Sequence, residues 1–277
     1  MGTILFVIIS SAGVNSLLMP PSPIGVTTSF AIARGGEAIF YNPANFEAEN
    51  NFKLWCFYNR FYVSMQSVSL SLSKKIKSID FGLAVVNFDY GDIEWHPGYP
   101  TEDSLMNYSA NDLSIILCGS ANISSKGRVG LNLKYIYENI YVYSDYTFAF
   151  DLSFSYIDSK FGISFGAADF GSRITINNEE VNLPARLNFG GFYKLKKLVG
   201  SVDVHYLVNN DALDFGLGIN FPIHKFVVLN AALNYCESFY PGFGLAINQG
   251  RFGIKYGGAF YPEGLGMINT IGIGLGF

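Results

Sequence analysis

The chain has few side chains with catalytic potential, and their spacing limits what they can do. His96, His205 and His224 are its three histidines. A hydrolase built on one of them needs a nucleophile and an acid converging on the ring. His205 shares a strand face with Asp203, because residues two apart in a strand point the same way. No serine is tied to any histidine by a local motif such as a nucleophile elbow, and His224 sits in a short turn. Asp92, Glu94 and His96, at alternate positions, carry the donor types of a cation site. A solvated acidic loop is the simpler reading. Cys56, Cys118 and Cys236 lack the paired spacing of a metal or redox motif, and each falls inside a strand pattern, which reads as isolated buried thiols. Gly272, Gly274 and Gly276 have no helix after them, so they are not a phosphate loop. The sequence predicts no catalytic residue, no metal site and no cofactor.

The elements that position these residues are strands. Of 277 residues, 16% are aromatic, 30 are glycine and only 14% are charged, against roughly 25% charged in an average soluble domain. A helical membrane protein would show several apolar runs of about 20 residues, and beyond the N-terminus there are none. The net charge of −4 disfavours nucleic acid as a partner. From Phe52 onward apolar residues alternate with small or polar ones in about fourteen segments. Phe148, Phe150, Leu152 and Phe154 alternate with Ala149, Asp151, Ser153 and Ser155. Val68, Leu70 and Leu72 alternate with Ser67, Ser69, Ser71 and Ser73. In the last strand Ile271, Ile273, Leu275 and Phe277 share a face opposite Thr270, Gly272, Gly274 and Gly276. A soluble sandwich would need bulk on both packed faces. A membrane barrel needs an apolar outer face and tolerates small or polar groups inside.

Connections alternate too. Short turns fall at 75–77, 124–126, 158–159, 196–197, 222–224 and 248–250. The two long connections, Asp89–Ala110 and Phe170–Pro184, lie on the other side, with shorter ones at 238–242 and 261–265. Lys74, Lys75, Lys77, Lys126, Arg128, Lys160, Lys194, Lys196, Lys197, Lys225 and Arg251 cluster by the short turns. The expectation is an all-β, transmembrane, antiparallel up-and-down barrel of about 14 strands, closed by pairing of Met267–Phe277 with Phe52–Asn59. An even count puts both chain ends on the short-turn side, the periplasm of a diderm outer membrane. Residues 1–18 hold an apolar run expected to act as a signal peptide. No Lys or Arg precedes that run, and Ser11–Gly13 offer a cleavage point. Residues 19–51 lack strand periodicity.

That non-strand segment carries Ala33-Arg34-Gly35-Gly36-Glu37-Ala38 and then Phe40-Tyr41-Asn42-Pro43-Ala44. The pair resembles the Gly-Gly-Ala…Tyr-Asn-Pro-Ala-Gly stretch before the first strand of the PorV/PorQ family, relatives of the FadL-type fatty acid transporters. Asn45 stands where that family has glycine. Leu183–Gly190 and the final hairpin from Tyr256 to Phe277 are similar to the family's as well. The resemblance covers most of residues 25–277. It implies a barrel with an N-terminal hatch inside the lumen, its turns made by Gly35, Gly36, Asn42 and Pro43. Arg34 and Glu37 would face a polar lumen, with Asp151, Lys134, Lys255 or Asp214 as candidate partners.

Two non-enzymatic roles follow. The first, preferred, is of PorV/PorQ type: protein secretion and surface attachment, with Trp95, His96 and Tyr99 as contacts for secretion-system proteins or secreted cargo. The second is a FadL-like passive channel for small hydrophobic compounds such as fatty acids, with Phe30, Phe40, Phe88 and Leu105 lining an apolar pocket. In both, outer-membrane lipid and the barrel-assembly machinery are expected partners. The sequence predicts a protein that partitions with membranes, needs detergent for extraction and changes gel mobility on boiling. Full solubility in the cytosolic fraction would contradict the barrel.

Overall fold

The computed structural model describes residues 14–62, 64–95, 106–261 and 266–277. The strands are β1 (Lys53–Arg60), β2 (Gln66–Ile76), β3 (Ile79–Trp95), β4 (Met106–Asn122), β5 (Gly127–Ile140), β6 (Tyr143–Ile157) and β7 (Phe161–Gly171). A small hairpin follows, β8 (Ile174–Ile176) and β9 (Glu179–Val181). The remaining strands are β10 (Arg186–Leu195), β11 (Leu198–Leu207), β12 (Ala212–His224), β13 (Val227–Cys236), β14 (Ser238–Gln249), β15 (Phe252–Tyr261) and β16 (Gly266–Gly276). Fourteen of them form one closed antiparallel barrel, in which each pairs with its neighbour in the chain apart from the excluded hairpin. β1 pairs with β16 in continuous register, from Lys53 opposite Gly276 to Arg60 opposite Asn269. No open edge remains, which removes the unpaired amides and carbonyls that lipid cannot satisfy.

Alternation sets the faces as the sequence predicts. Phe148, Phe150, Leu152, Ile271, Ile273, Leu275 and Phe277 are exposed on the outer surface, while Ala149, Asp151, Ser153, Ser155 and Thr270 are buried inside. The outward face of the spanning segments is apolar because a lipid-facing Lys or Arg near midplane costs roughly 2–4 kcal/mol.

Four local expectations are corrected. The connection expected over Asp89–Ala110 is largely strand: β3 and β4 stay paired out to Trp95 opposite Met106, with a bulge between Asp89 and Asp92. Gly91 takes φ +73° there. Residues 238–242 are not a loop either, since Glu237 alone joins β13 to β14. The connection 172–185 contains β8 and β9, joined by Asn177 and Asn178, both at positive φ. That pair supplies the left-handed residues a tight hairpin turn demands. The buried-thiol reading holds for Cys118 alone, because Cys56 and Cys236 are exposed. Cys56 lies on the outer face of β1 between Leu54 and Tyr58, which are exposed as well.

The glycine face of β16 has a use that strand period alone does not reveal. It accommodates two aromatic rings from its partner strand. Trp55 and Phe57 point inward from β1 and stack with centroids 5.7 Å apart and planes at 2°. A Cβ on Gly274 would lie 2.6 Å from the Trp55 ring, and one on Gly272 would lie 2.4 Å from Phe57. The space is thus filled by the wall's own aromatics, and the lumenal segment then packs on them, with Phe40 edge-on to Phe57 at 6.1 Å. Gly274→Val is expected to overpack this site and destabilise the barrel by roughly 1–3 kcal/mol. The effect should appear as a lower temperature of the heat-induced gel shift, and Trp55→Ala in the same chain should relieve part of it.

Candidate functional site: the plugged lumen

Residues 14–46 occupy the inside of the barrel as short helical turns: Asn15–Leu18, Pro23–Val26, Ser29–Ile32, Gly35–Phe40 and Pro43–Asn45. Most of their side chains are buried. No turn exceeds six residues, so most peptide groups have no partner within their own helix. Each must be satisfied from outside, because an unpaired buried peptide group is costly. The wall supplies the partners.

Asp203 on β11 accepts from the backbone amides of Phe30 and Ala31, both at 2.8 Å, and so caps the Ser29–Ile32 turn. Asn132 on β5 donates to the Ile39 carbonyl at 2.9 Å. Ser153 on β6 accepts from the Ala44 amide at 2.8 Å. Arg128 on β5 donates to the carbonyls of Ala44 at 2.9 Å and Phe46 at 2.6 Å, and to Asp80 at 2.7 Å. At Gly130 the Pro43–Ala44 peptide touches the wall so closely that a Cβ would lie 2.1 Å from the Pro43 carbonyl carbon. The Asn-Pro-Ala turn is therefore clamped on three sides.

The residues singled out from the sequence take defined places. Asn42 uses its side chain inside the segment. Its Oδ1 accepts from the Ala44 amide at 3.2 Å and its Nδ2 donates to the Phe30 carbonyl at 2.9 Å. Pro43 opens the next turn. Gly35 takes φ +63°, the left-handed geometry that glycine adopts without penalty. Gly36 packs against Ser71 and Trp55. Of the partners considered for Glu37, Lys255 is the one it meets, as a buried ion pair, and the same ammonium lies 4.7 Å from the Trp55 ring centroid. Arg34 meets none of the four. Its guanidinium donates to the Ala31 and Ala33 carbonyls and lies over Phe192 at 5.5 Å. Burial lowers its pKa to about 10. Lys134 and Asp151 pair with each other at 2.8 Å instead.

A cavity of ≈160 Å³ opens between the N-terminal segment and the wall, chiefly β10 to β15. Phe30 and Phe40 line it together with Leu17, Met19, Tyr240 and Tyr261. Phe88 does not. It is buried beside the cavity in a cluster with Phe61, Tyr62 and Met65. Several of the polar groups on the cavity wall are engaged with one another or with the plug, while the Arg186 Nε has no partner. Asn188 pairs with His205 Nδ1 at 2.7 Å, and Arg186 donates to Asp169 at 2.6 Å. Both oxygens of Asp203 are occupied by plug amides. Among the described residues no group of three or more His, Cys, Asp or Glu is arranged to hold a metal. His96, Tyr99 and Leu105 lie outside the described residues, and Trp95 is described as the last residue of β3.

Two contributors escape the sequence reading. Arg128 sits next to a basic short turn and was grouped with it, yet it points inward and is buried. Its parity with Asn132 and Lys134 was the available signal. Asp169 has no such signal. A shift in the β6–β7 register after Phe150, with Asp169 at φ +61°, turns its carboxylate inward to Lys134 at 2.6 Å and Arg186.

No family model and no curated protein sequence matches the chain. Solved structures do. The toluene transporter TbuX of Ralstonia pickettii superposes with TM-score 0.70 at 11% identity, over 92% of this chain and 98% of that one. The monoaromatic hydrocarbon channel CymD gives 0.72 at 10% identity, over 92% and 97%. A Pseudomonas aeruginosa FadL homologue gives 0.60 at 8% identity, over 90% and 96%. The fold is thus the fourteen-stranded barrel of FadL-like outer-membrane transporters. The likeness at these identities is one of fold.

Arg128→Met would take the buried cation from Asp80, leaving it only the more exposed Lys75 at 3.3 Å, and would strip two plug carbonyls of their donor. Breaking a buried pair in this way costs about 3–5 kcal/mol. The expected outcome is a plug that becomes accessible, with trypsin cutting at Arg34 in the folded variant and not in the folded parent.

Proposed function

We propose that this protein is a passive, non-enzymatic channel of FadL-like type in the outer membrane, admitting small hydrophobic compounds, with a single aromatic ring as the best-fitting size. The carrying observation is the cavity between plug and wall. Its ≈160 Å³ compares with the about 150 Å³ that suffices to hold benzene in an apolar protein cavity. Lys134, Arg186 and Asp203 in its lining already have partners, and Phe30, Phe40, Leu17, Met19 and the tyrosines supply its apolar contacts. An apolar pocket with a few fixed polar groups is the usual form of a small-molecule site. A long acyl chain does not fit the same volume. The fold likeness to toluene and monoaromatic hydrocarbon transporters supports this reading over secretion docking. The docking role rests on the sequence resemblance to PorV/PorQ, and its proposed contacts His96 and Tyr99 lie outside the described residues.

Intact diderm cells carrying the protein should take up labelled toluene faster than cells lacking it. Ser29→Phe, placed on the cavity wall, should abolish the gain while the barrel stays heat-modifiable. Unchanged uptake on removal of the protein, together with stable co-purification of secreted proteins, would reverse the choice between the two roles.

A further inference from the structure

Two carboxylates inside the lumen face each other with no cation between them. Asp112 on β4 and Glu138 on β5 are directly opposed across the strand pair and are buried at 0% and 1% exposure. Like charges in that position repel. Asp112 Oδ2 accepts from the Ser16 amide at 3.2 Å and from the Tyr90 hydroxyl at 3.0 Å. Its Oδ1 and both oxygens of Glu138 have no hydrogen-bond partner. Among the described residues no Lys, Arg or His forms an ion pair with either one. The nearest basic groups of the lumen are already committed, Lys134 to Asp151 and Asp169 and Arg186 to Asp169. Buried charges are ordinarily paired, so this site calls for a positive group.

The amides of Asn15 and Ser16 reach Tyr90 and Asp112, and this brings Val14, the residue before them, to the side of Glu138, which stands opposite Asp112. Val14 itself is fully buried in a cluster with Leu17, Ile136, Ala149 and Leu183. Its φ is +68°, a left-handed conformation that is an outlier for a β-branched residue. That torsion exists only while residue 13 is attached. The sequence just before it, Ser11-Ala12-Gly13, has small residues at the first and third positions ahead of the Gly13–Val14 bond, the pattern a leader peptidase recognises after an apolar run.

We propose that the chain is cut between Gly13 and Val14 during export, and that the new α-ammonium of Val14 is the counter-ion of Glu138 and Asp112. The leader peptidase adds water across the peptide bond. The leader leaves with the Gly13 carboxylate, and the freed amine on Val14 takes a proton. One neutral amide donor becomes a cation with three donors beside the unpartnered oxygens, and the strained φ ceases to exist. Leader removal and plug seating are thereby linked, because only the processed chain carries the charge that this part of the lumen lacks. The boundary moves from Leu18, where the apolar run ends, to Gly13. This fits Asn15–Leu18 being a buried lumenal turn.

The first test needs no variant. Intact mass and N-terminal sequencing of the protein extracted from membranes should give Val14 as the first residue, and any other first residue overturns the proposal. The second is a double-mutant cycle on the temperature of the heat-induced gel shift. Glu138→Gln removes the carboxylate. A Gly-Ser insertion between Gly13 and Val14 keeps the cleavage signal and moves the ammonium away. Each alone should lower the transition temperature, and the two together should lower it no further than the larger single effect. Fully additive losses would show that amine and carboxylate do not interact, and would overturn the counter-ion assignment even with Val14 confirmed as the first residue.

Discussion

The structure depends on one constraint: an irregular chain threaded through a barrel must find a partner for nearly every peptide group it buries. The segment 14–46 cannot do this itself, since its helical turns close only one or two internal bonds each and leave their other peptide groups without a partner. The wall does it instead, with side chains from several different strands. Asp203, Asn132, Ser153 and Arg128 each hold backbone of the plug. The polar lumen is therefore a mould for this segment and far from a water-filled bore. Two features follow. Small inward residues such as Gly130 occur where the plug touches the wall. Buried charges such as Lys134 and Asp80 come in mutually satisfied groups, as isolated ones are too costly in a low dielectric.

The same constraint shapes the cavity. What remains unfilled between plug and wall is lined by polar and apolar groups in similar measure. The lumen's charged groups build the scaffold, and Phe30, Phe40, Tyr240 and their neighbours give the cavity its apolar surface. Trp55 plays a related part lower in the barrel. It sits in the glycine face of β16, stacks on Phe57 and lies near the Lys255 ammonium that binds Glu37. Barrel closure and plug anchoring thus share one side chain.

Much of this was legible in the sequence, and the reason is local. Period-two alternation fixes which residues face out, since a one-residue slip would put every serine of β2 into lipid. The count of fourteen strands, their order and the closure of β16 on β1 follow from that pattern and the turns. The misses have equally local causes. Asp89–Trp95 and Ser238–Gly242 read as loops through their Gly, Pro and acidic content, yet pairing with an existing neighbour strand holds them extended. Cys56 read as buried because thiols usually are, although its parity with Leu54 and Tyr58 places it on the lipid face.

By itself the sequence determined the class of architecture: an all-β barrel with an apolar exterior, small or polar residues inside, and a non-strand segment to fill it. Those properties are encoded in residue type and spacing along a single strand. Tertiary structure alone decided which inward groups meet. Glu37 finds Lys255 at 218 residues' separation, Arg34 is left to backbone carbonyls, and Phe88 packs beside the cavity while Phe30 and Phe40 line it. Asp169 enters the lumen only because a bulge reverses its parity. Such contacts depend on the path of the plug and on irregularities in the ladder, and both are set by packing across the whole barrel rather than by the period of any one strand.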